Sequence, residues 1–150
     1  MGFSLGEKSI KKLVGVNQKL VDVVKLAIQL TEQDFSVNCG LRTLAEQKAL
    51  LKSGATTTLN SRHISGNAVD LVPFVDGKAN WDWKYVYPVA EAMRKAAKQL
   101  NVTIRWGGEW SSNFTATTLP TETLVAQYVA SRKKIGKSAF IDGVHFEIPA

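Results

Sequence analysis

Two histidines occur in the chain, and each lies beside carboxylates. His63 belongs to Ser61-Arg62-His63-Ile64-Ser65-Gly66-Asn67-Ala68-Val69-Asp70. His145 belongs to Asp142-Gly143-Val144-His145-Phe146-Glu147. Imidazole and carboxylate groups are the donors of hydrolytic zinc sites, which take three from the protein and keep one position open for water. His63, Asp70 and His145 make such a set. The long gap before His145 requires a site assembled by the fold, not one carried on a single helix as in His-Glu-x-x-His enzymes. Spacing alone is a weak argument, because a lone histidine is more often a satisfied polar residue than a ligand. Asp70 adds a physical one. A carboxylate on an apolar strand is costly to bury unless it is paired or metal-bound.

The elements around these residues follow from periodicity. Residues 1–16 read as a short helix, with Ser4 and Glu7 at capping-box spacing and Ile10, Leu13 and Val14 as its apolar stripe. Asn17 caps a second helix whose buried face is Leu20, Val23, Val24, Ala27 and Ile28. Alternation predicts a strand over 34–39. Thr43 and Glu46 form a second capping box opening a helix over 43–53, with Gly54 at its C′ position. Arg42 then stands at a strand-to-helix junction, where sites are often built, although a solvated arginine is the plainer reading. A strand over 68–72 is expected to stop at Pro73, with a turn at Asp76-Gly77.

Further on, Trp81, Trp83, Tyr85 and Tyr87 form an aromatic cluster read as core. Pro88 is placed in the first turn of a helix with Val89, Ala92, Met93, Ala96 and Leu100 buried, and with Arg94, Lys95 and Lys98 facing water. A strand over 102–106 ends at Gly107-Gly108. Residues 109–120 are the longest structureless stretch and a candidate lid. A last helix from Thr121 to Gly136 turns Leu124, Val125, Tyr128 and Val129 inward, and Arg132-Lys133-Lys134 complement its dipole. Residues 140–148 read as the closing strand.

Length and composition fit one soluble domain over 1–150: 45% hydrophobic and 21% charged residues, with no repeats and no separate wall-binding segment. The net charge of +6 favours anionic partners. No glycine or aromatic residues interleave the basic ones, which argues against nucleic-acid binding. The single cysteine, Cys39, excludes an intramolecular disulfide and reads as a small buried hydrophobe, so a Cys-based zinc site is not expected. The absence of a signal-peptide-like run and of any membrane-length apolar segment predicts synthesis and folding in a cytoplasm without stable membrane insertion.

Ser61-x-His63-x-x-Gly66-x-Ala68-x-Asp70, paired with Asp142-x-x-His145-Phe146-Glu147, resembles the signature of the LAS zinc peptidases. Gly40-Leu41-Arg42-Thr43 and Trp106-Gly107-Gly108-Glu109-Trp110 extend the resemblance across most of 40–148. It implies an α+β fold, a small mixed or antiparallel sheet with flanking helices like those of hedgehog domains and DD-peptidases. It implies His63, Asp70 and His145 as Zn2+ ligands and Asp142 as general base, with Glu147 the competing base. Arg42 is then catalytic or substrate-binding, stabilising an oxyanion or clamping a substrate carboxylate, and Ser61 and Trp106 touch substrate. Ser61 also has a plainer reading, a loop hydroxyl bonded to its own backbone.

Aspartate at 142 makes the chain most similar to bacteriophage L-alanyl-D-glutamate endopeptidases. That resemblance implies an endolysin acting on peptidoglycan: a monomer made in the host cytoplasm that reaches the periplasmic wall through a holin pore. The alternatives are a D-alanyl-D-alanine carboxypeptidase or dipeptidase on the same site, and a non-catalytic hedgehog-like zinc-binding domain.

Overall fold

In the computed structural model, which describes residues 3–54, 61–110, 113–139 and 141–149, the site-bearing strand lies in the middle of a small sheet. The helices are α1 (Glu7–Lys12), α2 (Gln18–Leu30), α3 (Leu44–Ser53), α4 (Trp83–Gln99) and α5 (Thr121–Lys134). The strands are β1 (Phe35–Cys39), β2 (Ala68–Val75), β3 (Lys78–Ala79), β4 (Arg105–Trp106) and β5 (His145–Glu147). The sheet runs β1-β2-β5-β4, with β3 added to β2, and every pairing is antiparallel. This is the expected α+β class, with an antiparallel rather than a mixed sheet.

Register is what matters for the site. Asp70 stands opposite Cys39 on β1 and opposite His145 on β5. Directly opposed residues share a sheet face, with Cβ atoms about 5 Å apart. Three chemistry-bearing side chains from distant segments therefore lie in one row across the sheet. A bulge between Val37 and Cys39 shifts the end of β1 so that Cys39 falls into that row.

The core lies between the sheet and the helices. Leu20, Val23, Val24 and Ala27 of α2 meet Val89, Met93 and Ala96 of α4, and Val69, Leu71 and Phe146 cover them from the sheet. Local signals work where caps are explicit. The Asn17 side chain accepts the Lys19 N–H, and Thr43 and Glu46 form a full capping box. Gly54 takes the left-handed conformation that ends α3, and Asp76-Gly77, both at positive φ, turn β2 into β3. No helix among the described residues is long and apolar enough to cross a membrane.

Other expectations need correction. Helix α1 is only six residues long, Gly6 caps it without a side chain, and the Ser4–Glu7 box does not form. Leu13 is buried, but Ile10 and Val14 are exposed, because the helix ends before their stripe can close on a partner. Pro73 does not stop β2. The strand continues to Val75, with Pro73 opposite Phe35 and its carbonyl accepting the Asn80 N–H. Its missing donor lies on the side where the pairing with β5 has already ended.

Pro88 is inside α4 rather than in its first turn, because Asp82 caps the helix five residues earlier than Pro88 suggests and carries Trp83, Tyr85 and Tyr87 onto it. Arg94 is buried, not solvated: it donates to the carbonyls of Thr117 and Leu119 and pairs with Glu91. Strands β4 and β5 are shorter than the expected 102–106 and 140–148, and residue 140 lies outside the described residues. Val129 is exposed. Of the expected loop 109–120, residues 111–112 also lie outside the described residues. Within the rest, Phe114 is buried against Trp106.

Candidate active site

His63 arrives on the turn that precedes β2. The Ser61 hydroxyl accepts the His63 N–H, and the His63 carbonyl accepts the N–H groups of Arg42 and Gly66. Gly66 is at φ +74, where a side chain would be strained and would also meet the Gly15 carbonyl. The turn is thus locked against the β1–α3 junction, and Arg62 ties it to the end of β5 by donating to the Ile148 carbonyl. Ser61 makes the local backbone bond of its plainer reading.

The buried His63 ring has one nitrogen committed. Nδ1–H donates to the Gly40 carbonyl at 2.9 Å, which leaves Nε2 facing Asp70 Oδ1 at 3.2 Å. His145 is oriented the opposite way round. Its Nε2–H donates to Glu147 Oε1 at 2.8 Å, and Nδ1 faces the same Asp70 oxygen at 3.4 Å. The two rings stand 5.1 Å apart at 76°. Both available imidazole nitrogens therefore converge on one carboxylate.

Electrostatics follow the geometry. Burial opposes charge on His63, but hydrogen bonds to Asp70 and Cys39 outweigh it and push the imidazole up to about 10. His145 is raised too, burial being overcome by Asp70 and Glu147. Burial would raise Asp70, yet the two histidines hold its carboxyl far below the usual range. Two rings that favour protonation around one carboxylate mark a place arranged for positive charge. A divalent cation fits that demand with the same donors as neutral imidazoles.

Potential ligand atoms group in two overlapping sets that share Asp70: Cys39, His63 and Asp70, and Asp70, Asp142 and His145, each mutually within 4.8 Å. These residues are compatible with a metal site. Cys39 departs from its expected role. It is half-buried, its Sγ accepts from Arg42 Nη2 at 3.3 Å, and the His63 and Arg42 charges lower its thiol against the effect of burial.

Arg42 stands at the edge of the cluster. Nη1 donates to Gln47 Oε1 at 2.7 Å, and Nη2 lies 3.8 Å from Asp70 Oδ2. Gln47, fully buried on α3, is the anchor that sequence reasoning missed. Asp142 precedes β5 in a loop fixed by its N–H to the Gly107 carbonyl and by the His145 N–H to its own carbonyl. Burial, and then the Asp70 charge, raise its carboxyl above the ordinary value. Glu147 is buried, bonded to His145 and 3.8 Å from Arg105. Its carboxylate is held by the histidine and by cations, which leaves the competing role as base without support.

Trp106 does not line the site. It is fully buried, donates its indole N–H to the Gly143 carbonyl at 2.8 Å, and packs on Trp83 and Phe114. Its place on β4, opposite Phe146, points it into the core. The tryptophan beside the cluster is half-buried Trp110, whose ring lies 5.2 Å from that of His145.

Comparison with known proteins places this arrangement. The family model described as phage L-alanyl-D-glutamate peptidase matches residues 1–148. An L-alanyl-D-glutamate peptidase of Escherichia phage T5 is 32% identical over 117 residues, covering 75% of this chain and 85% of that protein. One from Listeria phage A118 is 31% identical over 109 residues, covering 67% of this chain but only 37% of that longer protein. The crystal structure of the Serratia marcescens L-Ala D-Glu endopeptidase ChiX superposes with a TM-score of 0.72 at 33% identity, over 99% of this chain and 90% of that one. A match along nearly the whole chain, joined to a cluster of histidine and carboxylate donors gathered around Asp70, shows that this chain belongs to the phage L-alanyl-D-glutamate peptidase family.

Proposed function

We propose that this chain is a Zn2+-dependent endolysin that hydrolyses the L-alanyl-D-glutamate bond of peptidoglycan stem peptides, after release from the cytoplasm that makes it to the cell wall. The observation that carries the reading is the convergence of His63 Nε2 and His145 Nδ1 on Asp70, with the Asp142 carboxyl beside them. His63, Asp70 and His145 would hold the ion. Bound Zn2+ would polarise the scissile carbonyl and make water acidic enough to ionise near neutral pH.

The chain's own residues divide the remaining work. Asp142 takes the proton of the attacking water and returns it to the leaving amine nitrogen. Its raised pKa suits both steps, since a base must also become an acid. Arg42, fixed by Gln47, brings a permanent positive charge toward the carbonyl oxygen as it becomes anionic. Glu147 holds the His145 ring in the orientation that presents Nδ1. Ser61 shapes the turn by accepting the His63 N–H and would offer the same hydroxyl to substrate, and Trp110 forms a wall over His145.

Mass spectrometry of muropeptides from digested sacculi tests the bond. New N-terminal D-glutamate peptides are expected, together with L-alanine left on the glycan. Release of D-alanine or D-alanyl-D-alanine with the L-alanyl-D-glutamate bond intact would return the carboxypeptidase reading. Zinc binding without any product would return the non-catalytic one.

A further inference from the structure

The metal cluster makes no use of a groove of about 790 Å³ that runs along α4. Its floor is one face of that helix. Lys84, Pro88, Glu91, Lys95 and Lys98 recur at the three- and four-residue spacing that stacks side chains along a helix, opposite the buried Val89 and Met93. The end of α2 and the start of α5 form its walls. The walls are braced: Arg94 Nη1 donates to the Thr117 and Leu119 carbonyls at 3.2 and 2.7 Å, and Glu91 Oε1 accepts the Thr121 N–H at 3.0 Å. A volume of this size lies in the range of ligand sites.

Three features make the groove receptive. Pro88 has no N–H, so the Lys84 carbonyl lacks the helical donor four residues on, and both residues line the groove. Glu91 is paired with Arg94, which leaves three ammonium groups, Lys84, Lys95 and Lys98, against two carboxylates, Glu32 and Glu122. The half-buried Tyr87 adds an aromatic surface. The groove lies on the side of α4 turned away from the sheet, and its Lys84 end is linked to the site loop through the neighbouring residue. Trp83, one residue before Lys84, packs on Gly143, the neighbour of Asp142. From Lys84 to Lys98 the helix extends about 21 Å away from that point.

We propose that this groove is an accessory subsite for a second stem peptide of the wall polymer, a short peptide with more carboxylates than amines. The inference rests on the endopeptidase reading for the identity of the polymer. The lysines take the carboxylates, and the Lys84 carbonyl takes the amine or an amide N–H. A wall polymer engaged at Asp142 is thereby held at a second point, on the far side of α4 from the sheet.

The test is the full chain with Lys95→Glu and Lys98→Glu together, compared with Lys8→Glu and Lys11→Glu, which make the same charge change on exposed α1. For the groove variant, KM on sacculi is expected to rise about tenfold, with kcat on sacculi and turnover of a short L-alanyl-D-glutamate peptide unchanged. Co-sedimentation with sacculi should weaken in parallel, and free stem tetrapeptide should shift the amide resonances of residues 84–98 in the unmodified chain. An unchanged KM, an equal loss in the α1 variant, or amide shifts confined to the metal cluster would each overturn the proposal. If the chain cleaves neither substrate, the endopeptidase reading fails, and the sedimentation and resonance measurements still decide the groove.

Discussion

Glu147 Oε1 accepts the Nε2–H of His145 at 2.8 Å, and this single bond selects Nδ1 as the nitrogen that faces Asp70. The two residues lie two positions apart on β5 and share its face. A histidine fixed by a carboxylate keeps one tautomer and one ring orientation.

Glu147→Gln should therefore weaken metal binding by about 10- to 100-fold. The amide oxygen can still accept the bond, but the negative charge that strengthens it is gone. Competition with a chromophoric chelator measures this directly. Unchanged affinity would mean that the orientation of His145 is set by the sheet alone.

Asp142→Asn leaves the cluster of His63, Asp70 and His145 intact while removing the proposed proton acceptor. Turnover of stem peptide should fall about 10²- to 10⁴-fold, with metal content by elemental analysis unchanged. Full turnover in this variant would assign proton transfer to another group.

The metal-free chain should lose stability as the pH rises. His63 is raised from 6.5 to about 10 on folding, so its contribution is complete below the unfolded value and disappears as pH climbs through the folded one. His145 is raised and adds the same sign, against the single lowered thiol of Cys39, whose contribution grows as pH rises toward its unfolded value. Asp70 is depressed, so its contribution is present above its ordinary value of 3.8 and is lost only as pH falls below that. After chelation, the urea midpoint near about pH 9 should lie below that near about pH 6. Zinc affinity should move the other way, rising with pH as protons leave the ligands. A midpoint that increases toward pH 9 would contradict the assigned charges.

Gly107→Ala should distort the loop that carries Asp142. A Cβ at 107 would collide with the Asp142 carbonyl oxygen and would lie 3.1 Å from the His145 Cβ. Backbone cannot yield as a flexible side chain can, so a loss of about 1–3 kcal/mol is expected in urea unfolding, with a fall in activity. Full stability and full activity together would show that the loop has slack.

Local signals settled a good part of the architecture without a structure. A capping box at Thr43 and Glu46, an Asn17 cap and the Asp76-Gly77 turn are interactions between near neighbours, so their residue types suffice. The residue chemistry around His63, Asp70, Asp142 and His145 was legible for the same reason, as was the likeness of those segments to a peptidase family. What residue types could not convey is pairing between distant strands. Only the register that sets Asp70 against both Cys39 and His145 brings the thiol into the cluster. Only burial tells Trp106, consumed by the Gly143 carbonyl, from Trp110 beside His145. The braced groove on α4 depends on Arg94 reaching a loop more than twenty residues away. Cross-strand alignment and solvent exclusion are properties of the whole packed chain, and they turn a list of capable side chains into a site.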